Sequence, residues 1–409
     1  MLKANIAIEK VNLYDGVGER ALQDATILID GEKIAYAGLH SKAPAYEAVE
    51  NIDGRGLFVL PGLIDLHVHG LVSEATLYSF LQNGVTSIRD LACDLFEALE
   101  WKAKERSGLI PSPRIFASGP VLTCKGGYPE NVWGPRISAP IRGRYQAEEK
   151  VRKLAGLGVD VIKIGLEHEL GPCLSEAEVA GIVAAAHAES KRVTAHITNE
   201  ADFEACVAAG VDEVAHVPSR PVPDDLWKEA VKKKMLIIPT LHAHAGWEEE
   251  WKRRSDHPFG QYCQHGFHEG HQQSRKNLER FLGLGGRSAY GTDAGNPHMP
   301  FGVSVKEWKD LQSAGLAPHQ CLQMSTIDAA RVLGMEEKIG SIEKGKLADL
   351  VLYQHDPLKD PQNFRTLQKV FKGGRCYPTG PLEFPQPFDL NYWIKQWEKT
   401  KFKPGWQTK

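Results

Sequence analysis

The sequence predicts an α/β protein: a (β/α)8 TIM barrel joined to a small β-sandwich module built from both chain ends. From Pro61 onward, apolar runs typical of buried strands alternate with helical segments. Both ends of the chain instead show short β-branched runs separated by turn signals. The 409 residues also exceed the length of one such barrel, about 250 residues, which leaves room for a second module.

The module at the chain ends is predicted to comprise residues 1–60 and 341–380. The first segment contains NIAIEKVNLYDG and ATILIDGEKIAYAG, which are broken by Asp-Gly and Gly-Glu-Lys turn signals. Near the other end, GSIEKGKLADLVLYQ and LQKVFKGGRCY return to a strand-like pattern. We therefore expect a barrel over residues 61–340 between the two halves of the module, and a C-terminal tail over residues 381–409.

The barrel strands are predicted as eight apolar runs, with a helical segment between most successive pairs. Eight such strand–helix units favour a closed barrel over a doubly wound sheet. The Gly/Pro-rich segment 120–143 is predicted to be a loop over the barrel mouth. The predicted strands cover residues 57–70, 84–90, 114–119, 159–165, 192–198, 211–217, 235–241 and 288–295.

Two further segments have no place in the barrel pattern. Residues 247–280 are polar and rich in histidine, and they are interpreted as a solvated helical excursion, with a mobile lid as the alternative. The tail is interpreted as an aromatic clamp onto the body or onto a partner. Its prolines and tryptophans are Pro385, Pro387, Trp393, Trp397 and Trp406.

Composition excludes several classes of function. The net charge is -3 and no long basic run occurs, so no nucleic-acid partner is expected. No apolar stretch reaches the about 18 residues that span a membrane, and the N-terminus lacks the apolar region of a secretory signal. The seven cysteines are scattered and read as reduced thiols, which favours a cytoplasmic protein. A homo-oligomer is compatible with the sequence.

Polar residues of metal-binding type close several of the predicted strands. His67 and His69 are two residues apart, so on a strand both imidazoles leave the same face. The carboxyl ends of barrel strands carry the active site, where these side chains would meet. Each could alone be a paired structural residue, and the convergence of all of them is the stronger evidence. They are His67, His69, Lys163, His196, His216 and Asp293.

Several spaced motifs occur in the order seen in one known family. They are PGLIDLHVH, the strand carrying Lys163, VTAHIT, EVAHV, GTDAG, STIDAARVLG and GSIEKGKLADLVL. With these motifs the sequence resembles the amidohydrolase superfamily, in particular its imidazolonepropionase-like enzymes and metal-dependent dipeptidases of the prolidase type. GVTSIRDLA and DVIKIG favour the dipeptidase side.

The resemblance implies a binuclear metal centre, most simply of zinc. His67 and His69 would bind one divalent ion together with Asp293, and His196 and His216 would bind a second. Lys163 would bridge the two ions as a carbamate formed with carbon dioxide. The alternative is an uncarboxylated Lys163 paired with Asp293 or Glu167, which would leave a mononuclear site of the deaminase type.

The implied reaction is hydrolysis of an amide C–N bond in a small molecule or dipeptide. A metal-bound hydroxide would attack, and Asp293 would act as general base and then as general acid. The same metals could instead hydrolyse a lactone, an ester or a phosphotriester. A catalytically inactive scaffold is the third hypothesis, although such a protein is expected to have lost ligands.

Three residues are predicted to contact substrate from the loops after the strands. Tyr128 lies in the GGYPENVWG loop, and Arg220 could bind a carboxylate or remain a solvated loop residue. His242, in the PTLHAH motif, is predicted to polarise the substrate carbonyl as a catalytic residue. Asp65 shares the face of His67 but lies deeper, so it is interpreted as a supporting group.

Overall fold

The computed structural model describes residues 1–386, 389–391 and 394–395. The strands, numbered in chain order, are β1 (Leu2–Leu13), β2 (Leu22–Asp30), β3 (Lys33–Leu39), β4 (Tyr46–Asp53), β5 (Phe58–Pro61), β6 (Leu63–Val68), β7 (Val85–Asp90), β8 (Arg114–Ala117), β9 (Val121–Cys124), β10 (Ser138–Ile141), β11 (Ile162–Gly165), β12 (Val193–His196), β13 (Glu213–Ala215), β14 (Leu236–Ile238), β15 (Arg287–Ser288), β16 (Leu350–Tyr353), β17 (Leu367–Lys372) and β18 (Arg375–Tyr377).

The helices alternate with the parallel strands over the middle of the chain. They are α1 (Glu74–Gln82), α2 (Leu95–Arg106), α3 (Glu130–Trp133), α4 (Gly143–Leu157), α5 (Glu176–Ala188), α6 (Glu200–Ala209), α7 (Asp224–Lys232), α8 (Leu241–Lys252), α9 (Pro258–Gly283), α10 (Val305–Ser313), α11 (Pro318–Met324) and α12 (Ile327–Val332). None of the helices in the described ranges has the length and apolar character that crossing a bilayer requires.

Strands from both chain ends pair in one 8-stranded sheet. Its order is β18-β17-β16-β5-β1-β2-β3, and β4 pairs with β1 in parallel. Alternate residues of β1 enter different clusters, since Ile6 and Ile8 pack with Leu350 and Phe371 while Ala7 packs with Leu28. The predicted sandwich of two packed sheets is not confirmed, because hydrogen bonds join these strands in a single sheet. The division into residues 1–60 with 341–380, 61–340 and 381–409 stays a prediction.

The parallel strands form two sheets, so the predicted closed barrel is confirmed only as an α/β arrangement. One sheet has the order β10-β9-β11-β12-β13-β14-β15, and the other has the order β6-β7-β8. Between them, the amide of Asp293 donates to the carbonyl of His67 at 2.8 Å, and that of His69 donates to Ala294 at 2.7 Å. The ladder is interrupted here because Asp293 adopts a positive φ of 63°.

Three predicted boundaries change in the structure. The predicted strand 235–241 is shortened to β14, and α8 begins at Leu241. Of the predicted strand 288–295, only Ser288 belongs to the short β15, and an irregular segment follows. The segment 120–143, predicted as a loop, contains β9, α3 and β10.

Helices α8 and α9 pack against each other and together form a helical hairpin. Trp251, Cys263 and Leu278 are buried, so the interpretation of residues 247–280 as a solvated excursion is wrong for the inner face of the hairpin. In the tail, Leu390 and Ile394 are buried in the cluster that contains Trp251. The predicted clamp residues Pro387, Trp393, Trp397 and Trp406 lie outside the described residues.

Candidate metal centre and active-site cavity

Strand β6 and the segment after β15 bring three candidate ligands together. Nε2 of His67 lies 3.3 Å from Oδ1 of Asp293, and Nε2 of His69 lies 3.0 Å from the same oxygen. Asp65 supports this arrangement from below, since its carboxylate accepts from the hydroxyl of Thr292 at 2.6 Å and from the backbone amide of Thr292 at 3.1 Å. Asp65 therefore holds the turn that presents Asp293, as its deeper position predicts.

A second histidine pair lies beside the first group. Nε2 of His216 is 3.0 Å from Nδ1 of His196, at the end of β12. The other ring nitrogen of His216, Nδ1, lies 2.6 Å from Oγ1 of Thr240, which fixes the orientation of the ring. The rings of His67 and His216 have centroids 5.0 Å apart. The two groups thus form one continuous patch of nitrogen and oxygen atoms.

Lys163 lies on β11, with its side chain buried under this patch. It is 3% exposed, and its Nζ has no hydrogen-bond partner. Burial lowers the pKa of Lys163 to about 7, although the charge of Asp293 acts in the opposite direction. A large share of this amine is therefore neutral near pH 7, which is unusual for a lysine.

The carboxyl group of Asp293 is ionised over the neutral range. Burial alone would raise its pKa, but hydrogen bonding to His69 and the nearby imidazoles outweigh burial and lower the pKa to about 2. Burial lowers the pKa of His196 to about 3 and also lowers the pKa of His67 and His216, so these imidazoles are neutral. For His69, burial would lower the pKa, but hydrogen bonding to Asp293 outweighs burial and raises the pKa. Neutral imidazoles and an ionised carboxylate are the forms in which these side chains bind metal ions.

These groups form the floor of a cavity of about 400 Å³. Tyr128 stacks on His196 with ring centroids 4.1 Å apart. Higher up, the cavity is lined by Trp133 of α3 and by Trp247 and Phe267 of the helical hairpin. A volume of this size suits a small-molecule ligand.

Comparison with known proteins gives a consistent result. The amidohydrolase family matches residues 58–376. The chain belongs to the amidohydrolase family. An ochratoxinase of Aspergillus niger is 22% identical over 89% of this chain and 85% of its own length. An adenine deaminase 2 of a Bradyrhizobium species is 24% identical over 88% of this chain and 56% of its own length.

The fold also resembles that of solved structures. A crystal structure of a Xaa-Pro dipeptidase with bound methionine in the active site superposes with a TM-score of 0.81. It is 24% identical and covers 91% of this chain and 99% of that chain. Amidohydrolases are typically metal-dependent hydrolases that act on C–N bonds, and the structure has residue groups that could hold a metal ion.

The cavity is lined by all six candidate metal ligands that the sequence predicts. Nitrogen and oxygen donors without thiolate suit zinc and similar divalent ions. The unpartnered Nζ of Lys163 among them is the feature that a purely structural cluster would leave unexplained. The residues present therefore fit a metal centre. The lining residues that fit are His67, His69, Lys163, His196, His216 and Asp293.

Of the predicted substrate contacts, only Tyr128 lines the cavity. Arg220 is absent from the lining, because it is exposed and its guanidinium lies 3.8 Å from Glu169. His242 also lies outside the lining, with Nδ1 2.8 Å from Oδ2 of Asp310. The structure therefore does not bring Arg220 or His242 into the cavity, and their roles as substrate contacts stay predictions.

His244, and not His242, lines the cavity. Residues two apart share a face on a strand, but they point to nearly opposite sides of a helix. Since α8 begins at Leu241, His244 faces the cavity while His242 faces α10. The helical spacing of His244, Trp247 and Trp251, three and four residues apart, is the signal that could have found this wall.

Two further groups in the described residues could hold a metal ion. One comprises His242, His271 and Asp310 at the back of the hairpin, and the other comprises His168, Cys173 and Asp202 beside the end of β11. In both, the carboxylate contacts an imidazole directly. These contacts stabilise the loops and helices around the cavity.

Proposed function

We propose that this amidohydrolase cleaves an amide C–N bond of a small molecule or dipeptide with the help of two divalent metal ions, most simply zinc. The observation that carries the proposal is the convergence of His67, His69 and Asp293 beside His196 and His216 in one cavity. The membership of the family supports the reaction class.

The ligands divide into two sets around Lys163. His67, His69 and Asp293 would hold one ion, and His196 and His216 would hold the other. Lys163 would be carboxylated: its neutral amine adds carbon dioxide and releases one proton, which gives an anionic carbamate with two oxygen donors. Its burial and its lack of a hydrogen-bond partner support this role. Divalent ions at such a site polarise a carbonyl and lower the pKa of water toward about 7.

Asp293 is the proposed general base and general acid. Its carboxylate takes one proton from the attacking water, whose oxygen bonds to the acyl carbon. As the C–N bond breaks, Asp293 returns that proton to the leaving nitrogen, so amide and water give a carboxylic acid and an amine. The low pKa of Asp293 keeps the carboxylate available across the neutral range.

Tyr128 is the proposed substrate-positioning residue. Its ring stacks on His196, and burial raises the pKa of its hydroxyl, which therefore stays protonated. A protonated phenol can donate a hydrogen bond to the carbonyl oxygen of the substrate. Tyr128 also covers the floor of the cavity and limits the access of bulk water.

Partner and location are part of the same proposal. The proposed partner is a small molecule, and neither nucleic acid nor a membrane takes part. Size-exclusion chromatography would show whether the protein forms a homo-oligomer. The seven cysteines are free thiols, which supports a reducing compartment such as the cytoplasm.

The test combines metal analysis with a substrate panel. Protein purified from cells supplied with zinc is expected to hold about two equivalents, as measured by elemental mass spectrometry. Neutral amides, esters, lactones and phosphotriesters are then compared by kcat/KM, and the amides are expected to be the best substrates. Protein without stoichiometric metal, or a panel led by phosphotriesters or lactones, contradicts the proposal.

A further inference from the structure

The walls of the cavity differ from its floor in chemistry. The floor carries the proposed metal ligands, whereas the wall above them is apolar and largely aromatic. It is formed by α3, by the helical hairpin and by residues just after β6. Its main members are Leu71, Val132, Trp133, Trp247, Trp251 and Phe267. We call these six residues the aromatic wall.

The rings of the aromatic wall are arranged for contact with a flat group. Trp247 and Phe267 are stacked, with centroids 5.9 Å apart and planes inclined by 16°. Trp133 lies 6.3 Å from Trp247, with its plane inclined by 53°. Stacked and inclined rings are the two geometries that aromatic pairs prefer, and the wall contains both.

The described residues around the wall offer little to pair with a ligand carboxylate. Within the described part of the cavity lining, Lys163 on the floor is the single Lys or Arg side chain. The acidic side chains near the wall already have partners. Asp90 accepts from the amides of Gly70 and Leu71, and Glu97 pairs with Arg136.

An unpaired carboxylate loses its hydration when it enters an apolar pocket, and the described residues of this wall include no cation that would compensate for the loss. Arg220, the residue that the sequence suggested for this purpose, is exposed and lies beside Glu169. The free carboxylate of a dipeptide would thus be poorly accommodated against the aromatic wall. A neutral apolar group does not have this desolvation cost, and burying its surface against the wall is favourable.

We infer that the substrate is a neutral amide whose flat, apolar group lies against the aromatic wall and carries no free carboxylate. This inference rests on the proposed function, because it places the scissile bond over the metal ligands. It narrows the substrate from small molecules and dipeptides in general to arylamide-type compounds.

Two matched ligands test the inference. 4-Methylacetanilide and 4-carboxyacetanilide share the scissile amide and differ in the charge at the far end of the ring. Calorimetry with zinc-supplied Asp293→Asn protein, whose zinc content is measured first and whose turnover is expected to be slow, measures their binding. The methyl compound is expected to bind at least about tenfold more tightly. Equal binding, tighter binding of the carboxylate, or binding of neither compound overturns the inference.

A variant of the wall provides the second arm. Trp247→Ala is expected to weaken binding of 4-methylacetanilide by roughly tenfold, while Trp247→Phe keeps most of the affinity. Tyr145→Ala, which removes an exposed ring on α4, is the control and should leave binding unchanged. Circular dichroism checks that each variant is folded. Unchanged affinity in folded Trp247→Ala protein overturns the inference.

Hydrolysis by the wild-type protein separates this inference from the proposed function. If the neutral arylamide binds selectively but no amide is cleaved, binding at the aromatic wall is supported and the proposed function is contradicted. If amides are cleaved and carboxylate-bearing substrates are preferred, the proposed function stands and the inference fails.

Discussion

His216 and Asp293 hold their side chains in the cavity through an uncommon backbone conformation. Their φ angles are 78° and 63°, a region that residues other than glycine occupy rarely and at a cost of about 1–3 kcal/mol. Backbone hydrogen bonds offset this cost, since the amide of His216 donates to Ile238 at 3.0 Å and that of Asp293 donates to His67 at 2.8 Å. The turn at each strand end thereby directs a ligand toward its neighbours.

His67→Ala tests the first metal-binding group. Removing one of the three side chains in the group of His67, His69 and Asp293 should release the ion held there and lower kcat/KM by more than about a hundredfold. Elemental mass spectrometry and steady-state kinetics measure both effects. His265→Ala, at an exposed position of α9, is the matched control and should retain metal and activity. Full metal content in His67→Ala protein would contradict the assignment.

Asp293→Asn tests proton transfer, with the metal content measured on the same protein because Asp293 is also a proposed ligand. The amide has the shape of the carboxylate but cannot accept the proton, so kcat should fall by about 10²–10⁴-fold. The ion at His196 and His216 should remain, because neither histidine depends on this carboxylate for its position. An unchanged kcat with one ion lost would show that Asp293 is a ligand and not the proton carrier.

At the scale of elements, the helical hairpin is held in place by α10. Asp310 lies 2.8 Å from Nδ1 of His242 on α8 and 3.1 Å from Nε2 of His271 on α9. Glu307 accepts hydrogen bonds from the first amides of α8, those of Leu241 and His242, at 3.0 and 2.7 Å. Two carboxylates of one helix thus position the hairpin that carries half of the aromatic wall.

Asp310→Asn should loosen the hairpin in a pH-dependent manner. Burial would raise the pKa of Asp310, but His242 and His271 outweigh it and lower the pKa to about 2. The carboxylate therefore contributes stability above its unfolded pKa of about 3.9, and this contribution is lost as the pH falls toward 2. Near pH 6 it amounts to about 2 kcal/mol.

Thermal melts at pH 3 and pH 6 measure this effect. The wild-type protein should exceed Asp310→Asn in Tm at pH 6, and the gap should narrow at pH 3. Asp328→Asn, which breaks a pair on the protein surface, is the control and should change Tm little at either pH. A gap that is constant with pH would exclude the carboxylate as its cause.

At the scale of the whole molecule, Asp349 joins the 8-stranded sheet to the parallel strands. One carboxylate oxygen accepts from Arg114 of β8 at 2.8 Å, and the other accepts from the amide of Gly373 at 2.8 Å. Both side chains of the ion pair are largely buried. The sheet from the chain ends and the site-bearing strands are therefore coupled through a buried pair.

Asp349→Ala should destabilise the whole protein. It leaves the buried guanidinium of Arg114 without its partner, which typically costs about 3–5 kcal/mol. Asp53→Ala breaks the exposed pair with Arg55 and is the matched control, with Tm expected to stay near the wild-type value. Equal melting temperatures for the two variants would argue against the coupling.

Much of the site follows from local sequence patterns. The change from β-branched runs to alternating apolar and helical segments predicts the α/β class, because it reflects which faces of each element are buried. The six metal-ligand candidates could be found because each follows an apolar run, and parallel strands place their carboxyl ends together. Their convergence in one cavity agrees with that reasoning.

The hairpin, in contrast, depends on contacts between distant residues. PTLHAH reads equally well as the end of a strand or the start of a helix, since its six letters contain no decisive period. Glu307, 66 residues beyond Leu241, accepts the first amide of α8 and so favours the helix there. That contact turns His242 away from the cavity and His244 toward it.

The sequence by itself determined the α/β class and the identity of the candidate metal ligands, because both depend on periods of two and 3.6 residues along the chain. The tertiary structure decided how far the strand ladder closes, which histidine faces the cavity, and that Trp133, Trp247 and Phe267 form its wall. These features depend on hydrogen bonds and packing between residues far apart in sequence, which no local period records.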